Sequence, residues 1–377
     1  MKGDPGYFGP HSMMWKINKE ITVLFGGARA LLMHAAHPLI AAGARQTSFY
    51  QRDPWKRLIR TLSLQNSVTF GTKEEADESA HRINKLHEVI KGDDEITGGY
   101  YDALDHEQLL WVHACLQISS IYFYEKTVKK LTDKEKNQYH EENSIAAEMV
   151  LVDRQIMPKS HEELKNWVIE KSKEKDYLVL TDVAIDVADI INGGPVPRHI
   201  KPIWPFIAFT AFNTLPPEFK KIYGIKETKF KTALLNFNLY LLKYTRPFLP
   251  PFFRLIAPAR WAKQRLTRHY FFGNNEKTTL EMIKNLKNKF PNINISGYIC
   301  PENLSADDLA SKYKDKFIKI DADIVWVSLG FPKQELFIEK IYNEINPDTN
   351  FVGIGGVFEW VAGTKVKAPE SLIIFLF

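Results

Sequence analysis

Two histidines inside an apolar run, followed by a cluster of guanidinium and hydroxyl side chains, are the groups in this chain best placed to do chemistry. They lie in residues 26–62, GGARALLMHAAHPLIAAGARQTSFYQRDPWKRLIRTL. His34, His37 and Ala41 are spaced i, i+3, i+7 and predict one shared helix face. Arg57, Arg60 and Thr61, at i, i+3, i+4, predict another on the next helix. Ionisable groups on buried faces are costly unless paired, ligated or hydrogen-bonded, so a compact polar site in a helical core is expected. Pro38 removes a backbone hydrogen bond and predicts a bend that turns His37 towards a cavity. A satisfied core histidine is the alternative for His37, and the stronger one for His34.

The elements that must position these groups are helical. Gly26-Gly27 reads as a break before the first helix. Residues 74–91 form an amphipathic helix with Ala80, Ile83, Leu86, His87 and Ile90 on its apolar stripe. After the turn-rich stretch 92–107, Asp105 is the N-cap of LLWVHACLQISSIYFYEKTV, which is apolar nearly all round and therefore central. His113 lies on that helix with Gln117 and Ser120 at i+4 and i+7. It reads either as a ligand or as a core histidine bonded to a helix carbonyl. Ser160 caps a later helix, and His81, His140 and His161 are expected at the surface. The proline- and aromatic-rich stretch 195–219 reads as packing, with a substrate-channel wall as the alternative. Residues 229–256, apolar and basic together, read as core cover, with rest on a membrane surface as the alternative.

Composition bounds the classes. The 377 residues suffice for two domains with a large core, and the formal charge of +5 is scattered, which argues against a nucleic-acid-binding stripe. Two distant cysteines, Cys115 and Cys300, argue for a reducing compartment and against a disulfide framework or covalently attached haem. The N-terminus lacks the apolar core of a signal peptide, and no apolar run reaches the roughly 18–20 residues that span a bilayer. A soluble, cytoplasmic protein is expected. Near Arg265 the pattern changes: HYFFGN, INISGYI, DIVWVSLG and NFVGIGG read as strands, separated by helices of about 10–14 residues. The fold expected is an all-α domain over 1–265 followed by a Rossmann-like α/β domain with a parallel sheet over 266–377.

GARALLMHAAHPLIAAG (27–43), DPWKRLIRT (53–61), FGT (70–72), RINKLHEVIKG (82–92), YDALDHEQLLWVHACL (101–116) and LPPEFKKIYG (215–224) arrive together in an order that resembles the family of MpaB-like and latex-clearing (rubber) oxygenases. The resemblance covers roughly the first 265 residues. It implies an all-helical domain that binds b-type haem and oxidises an organic substrate with dioxygen. Arg57, Arg60 and Thr61 resemble the family's RxxKT motif, with Arg60 standing where a lysine can ligate iron. The resemblance points to His113 as the proximal ligand, with His37 and His87 as further candidates, and to Arg57 as a partner for a haem propionate. A ligated imidazole needs a carbonyl or carboxylate for its second nitrogen.

VSLGFPKQELFIEK (327–340) and VGIGGVFEWVAGTKVKAP (352–369) resemble the WecG/TagA/CpsF glycosyltransferases, which move an N-acetylmannosamine-type sugar from UDP to a lipid-linked acceptor. Gly330 ends a strand and Pro332 suits a helix start. Ligands of open parallel sheets bind beyond the carboxyl ends of the strands. There Lys333 can meet phosphate charge, and Gln334 and Glu335 can bond ribose or uracil. Gly353, Gly355 and Gly356 let backbone amides approach a diphosphate. The resemblance covers only about 269–370, so the stretch that carries the family's acceptor side and catalytic carboxylate is without a counterpart. Nucleotide binding without sugar transfer is expected. The first reading is thus a haem oxygenase fused to a partial UDP-sugar domain. The second is a glycosyltransferase, and the third a non-catalytic helical protein.

Overall fold

The computed structural model describes residues 4–47, 54–94, 96–194, 196–198, 200–291, 293–345 and 349–366, with the side chains of 54–60 and 345 outside that description. The chain divides into two compact units, one of Pro5–Arg260 and one holding Trp261 onward with the first four residues.

The first unit is helical. It begins with α1 (Met13–Asn18), α2 (Phe25–Ala35), α3 (Pro38–Thr47), α4 (Pro54–Phe70) and α5 (Lys73–His87). The turn-rich stretch contains a short antiparallel pair, β1 (Lys91–Asp93) and β2 (Tyr100–Asp102). Then come α6 (His106–Thr127), α7 (Asp133–Met149), α8 (His161–Lys171), α9 (Asp182–Gly193), α10 (Trp204–Asn213), α11 (Pro217–Ile222) and α12 (Lys229–Thr245). Asp105 and Ser160 cap α6 and α8 as expected, accepting from the Gln108 and Glu163 amides. Thr72 and Thr132 form capping boxes with Glu75 and Glu135.

Helix α6 is the core's axis: Trp111, Ala114, Cys115 and Phe123 are fully buried on it. Helix α2 packs along it, and here the structure corrects the expected break at Gly26-Gly27, because both glycines lie within α2. A Cβ on Gly26 would come within 3.1 Å of the Ser119 carbonyl, so this glycine serves close helix approach. Pro38 does more than bend the chain. The segments Ile21–Ala35 and Pro38–Thr47 meet at 102° across a two-residue break, so His34, His37 and Ala41 share no face.

In the second unit β3 (Arg268–Gly273), β4 (Asn294–Ile299), β5 (Ile324–Ser328) and β6 (Asn350–Gly353) form a parallel sheet in the order β4-β3-β5-β6. Helices α15 (Glu276–Lys289), α16 (Ala306–Ile318) and α17 (Lys333–Ile345) follow the first three strands, and α18 (Val357–Ala362) follows the fourth. The short α13 (Pro251–Arg254) belongs to the end of the first unit, and α14 (Ala257–Leu266) runs across the boundary into the second. Val325 and Val327 are buried beside Phe272, whose ring stacks on Phe337 at 4.8 Å. Arg268 ties the starts of two strands together through Asp323 and pairs with Asp321. Among the described residues no single helix is long and apolar enough to cross a membrane.

Candidate functional site

His113 stands on a polar seam that α6 presents to α7. Its ring is part-buried, with Nε2 sealed from solvent and without a hydrogen-bond partner. Burial, reinforced by neighbouring His140, pushes its pKa down to about 4, opposed by a hydrogen bond with the Asn143 backbone. The imidazole is neutral at pH 7, with one nitrogen oriented by the main chain and the other free, which is the state a metal ligand needs. One turn on, the Gln117 amide donates to His140 Nδ1 (2.9 Å), while His140 Nε2 donates to the Pro158 carbonyl (2.7 Å). Tyr139 donates to Asn18 Oδ1 at 3.1 Å.

Two surface expectations fail here. His140 and His161 are both buried. Helix α7 has a capped, charged start, yet Tyr139, His140, Asn143, Ser144 and Ala147 make an inward face at i, i+1, i+4, i+5, i+8. His161, the first residue of α8, accepts no bond at Nδ1, and its backbone amide donates to Asn137. Burial, then the charge of Lys136 and the presence of His140, hold its pKa at about 4.

His37 lies elsewhere. It packs edge-on against Tyr177 at 4.7 Å and beside Trp111 at 6.0 Å. Trp111 and His113, two residues apart on a helix, project about 200° from one another, so His37 and His113 occupy different sides of α6. The expected cavity at His37 is an aromatic cluster, with Trp167 and Phe219 also against Trp111. His37 Nδ1 and Trp111 Nε1 are both buried and unpartnered, and burial lowers the His37 pKa to about 4. A cleft of about 300 Å³, lined by Asp105, Glu107, Leu110 and Trp167 among others, opens at this end of α6. His34 is a satisfied core histidine: its Nε2 donates to the Val112 carbonyl at 3.0 Å.

Arg57 and Arg60 fall on α4, but their side-chain placements lie outside the described residues. Thr61 is exposed, against the expectation of a buried polar face. His87 is half-buried on the last turn of α5, with Nδ1 unpartnered and its pKa lowered by burial. Leu86, expected on the same apolar stripe, is exposed.

The buried cation that the sequence reading passed over is Arg29. It donates from Nε to the Thr214 carbonyl (3.0 Å) and from Nη1 to Ser119 Oγ (2.6 Å), beneath the Tyr122 ring. Burial lowers its pKa to about 10, so it stays charged at pH 7. Its one signal was its place one turn after Gly26, on the face that touches α6.

In the second unit the expected nucleotide residues do converge at the carboxyl ends of the strands. Gly330 (φ +78°) and Gly355 (φ +53°) take left-handed turns that other residues adopt with strain. Gln334 is buried and accepts from the Gly355 amide at 2.9 Å, while its own amide donates to Glu335 at 2.7 Å. It braces the glycine turn instead of reaching out to a base. Ser328 Oγ donates to the Gly355 carbonyl from the other side. Lys333 is engaged too, donating to Asn303 Oδ1 (2.8 Å) and the Leu304 carbonyl (3.0 Å). Pro332 leads into α17, with Leu336 bonded back to its carbonyl, and Gly353 sits against the Gln334 side chain at 3.1 Å from a would-be Cβ. Gly356 lies beside the Glu359 carboxylate.

A helical unit with a neutral imidazole, one nitrogen unpartnered, on its central helix, joined to a parallel-sheet unit with glycine turns at its strand ends, is the architecture of a two-domain enzyme. Residues 15–256 match the family described as ER-bound oxygenase mpaB/B'/Rubber oxygenase, catalytic domain, and the chain belongs to that family. Residues 251–373 match the glycosyl transferase WecG/TagA/CpsF family, so both domains are of enzyme families. The N-acetylglucosaminyldiphosphoundecaprenol N-acetyl-beta-D-mannosaminyltransferase of Bacillus spizizenii is 35% identical over 114 residues, 30% of this chain and 42% of that protein. Its counterpart in Bacillus subtilis is 28% identical over 116 residues, with the same coverage. The Staphylococcus aureus protein of that name is 36% identical over 88 residues, 22% of this chain and 31% of its own length. The chain thus spans about two fifths or less of these curated relatives.

Proposed function

We propose that the helical unit is a haem-dependent oxygenase acting with dioxygen on an organic substrate. The observation that supports this best is His113: a neutral imidazole whose Nε2 is buried and free while the Asn143 backbone holds the other side of the ring. Among the described residues no three His, Cys, Asp or Glu side chains converge as a metal site. A metal at His113 would therefore have to bring most of its own ligands, as haem iron does. Haem, when bound, supplies the activation of dioxygen. The protein's part is to fix the ligand ring through Asn143, keep it unprotonated, and exclude water with the apolar residues of α6. Arg57, by residue type, suits a propionate. Among the described residues His87 is the other half-buried histidine with an unpartnered nitrogen, and it is the alternative ligand. The cytoplasm is the compartment consistent with two free cysteines, one in each unit.

The test is an absorption spectrum of the full chain purified after expression with a haem precursor. A Soret band is expected, lost in His113→Ala with helical circular dichroism retained. A normal band in that variant, lost instead in His87→Ala, moves the ligand to α5. No band in the wild-type chain overturns the reading.

A second reading concerns the parallel-sheet unit, where the braced turn at Gly355 and the open strand ends favour binding of a UDP-sugar's diphosphate.

A further inference from the structure

Helix α12 faces solvent with the wrong side for a soluble helix. Only Leu235 and Leu239 are buried on it. Phe230, Leu234, Phe237, Leu241 and Tyr244 are all exposed, at i, i+4, i+7, i+11 and i+14. They form one continuous apolar stripe along the helix. The stripe runs past the helix end: Phe248, on the turn that follows, is 86% exposed, and Phe252 and Phe253 on α13 are exposed as well. Phe230, at the other end, is 76% exposed. A monomer rarely leaves so many large apolar side chains contiguous in water unless something covers them.

The charges beside the stripe say what covers it. From Thr228 to Arg260 the chain carries Lys229, Lys231, Lys243, Arg246, Arg254 and Arg260 and no acidic residue at all. Arg246 is neutralised by the buried Glu20, to which it donates twice at 2.6 and 2.8 Å. Arg260 lies over the Phe252 ring at 4.3 Å. Lys229 and Lys231 lie about 100° to either side of the stripe, while Lys243 is half-buried nearer the Leu239 side. Two copies of this surface would set cation against cation, which disfavours self-association. A stripe made mostly of Phe and Tyr, continuing through proline-broken chain, also fits a helix–helix seam poorly. Aromatic side chains with a basic fringe are suited to the headgroup boundary of an anionic bilayer.

We propose that α12 and the turn to Phe253 lie in the plane of an anionic lipid surface, with the apolar stripe sunk among the acyl chains and the lysines against the phosphates. This places the helical unit on a membrane through a helix lying in its plane, and is independent of whether His113 binds haem.

The experiment is flotation of the full chain with vesicles of phosphatidylcholine alone and of phosphatidylcholine doped with phosphatidylglycerol. Binding is expected to the anionic vesicles, to weaken with added salt, and to fall at least about tenfold on neutral ones. The variants Phe230→Ser/Phe237→Ser/Tyr244→Ser, on the stripe, and Lys229→Glu/Lys231→Glu, beside it, should each lose binding by a similar factor while keeping the wild-type melting midpoint. Should either variant fold poorly, hydrogen exchange of the wild-type chain decides, with slowing over 229–253 expected on anionic vesicles. No binding to anionic vesicles overturns the proposal. So does binding that both variants retain, which would assign it to another segment such as the apolar stretch 371–377. A dimer in solution that the aromatic variant dissociates, without vesicle binding, assigns the stripe to a second copy and overturns it too.

Discussion

At the scale of single residues, the first unit keeps several histidines dry and uncharged. His37 and His161 have folded pKa values near 4 against an ordinary 6.5, both chiefly from burial. Below pH 6.5 the unfolded chain takes up protons that the folded chain refuses. Stability is therefore full above about 6.5 and falls as the pH drops towards 4. Each fully buried ring should contribute a loss on the order of 2–3 kcal/mol across that window. Urea unfolding at a series of pH values measures it, and His37→Phe, which fits the aromatic cluster, should flatten the slope by about one proton. An unchanged slope would mean that water reaches the ring. The burial of His140 and His161 was not legible in the sequence, because it depends on which face of α7 meets α6 and on the start of α8 docking against α7. The capping residues beside them were legible, since a cap acts within its own turn.

At the scale of elements, the contact of α2 with α6 depends on a missing side chain. Gly26→Leu should push the Ser119 carbonyl away and cost about 1–3 kcal/mol or more in thermal or chemical denaturation. The neighbouring Gly27, with nothing near its would-be Cβ, should tolerate alanine. A Gly26→Leu protein as stable as wild type would show that the helices can separate freely. Sequence periodicity reported helix α2 but read its glycines as punctuation, because a glycine that ends an element and one that admits a neighbour look alike until the neighbour is placed. Pro38 was the opposite case: local stereochemistry forced the break, and only its angle came from packing. In the second unit the order of strands and helices was legible because each strand is a short apolar run between turn residues. The pairing of Gln334 with Gly355, 21 residues on, was not.

At the scale of the whole molecule, the two units offer unequal catalytic prospects. Sugar transfer needs a donor pocket, an acceptor groove and a positioned base. The strand ends around Gly330 and Gly355 could serve only the first. Of the acidic residues between 276 and 308, Glu302 pairs with Lys312, Asp307 with Lys340 and Glu281 with Lys284. Calorimetry with UDP should therefore give weak binding, reduced in Gln334→Ala through the loosened turn. Incubation with UDP-N-acetylmannosamine and a lipid-diphosphate-sugar acceptor should give no product. Product that disappears in Gln334→Ala would make glycosyl transfer an activity of this chain.

The position of Arg29 also bears on how the chain is made. Its partners Ser119 and Thr214 lie 90 and 185 residues downstream. At bacterial-like elongation rates of about 5–20 residues per second, Thr214 leaves the ribosome on the order of ten to forty seconds after the arginine. Until then the guanidinium lacks the Thr214 carbonyl that it bonds in the finished fold. Translation speed over 120–214 thus sets how long an unfinished core is on offer to chaperones or to neighbouring chains.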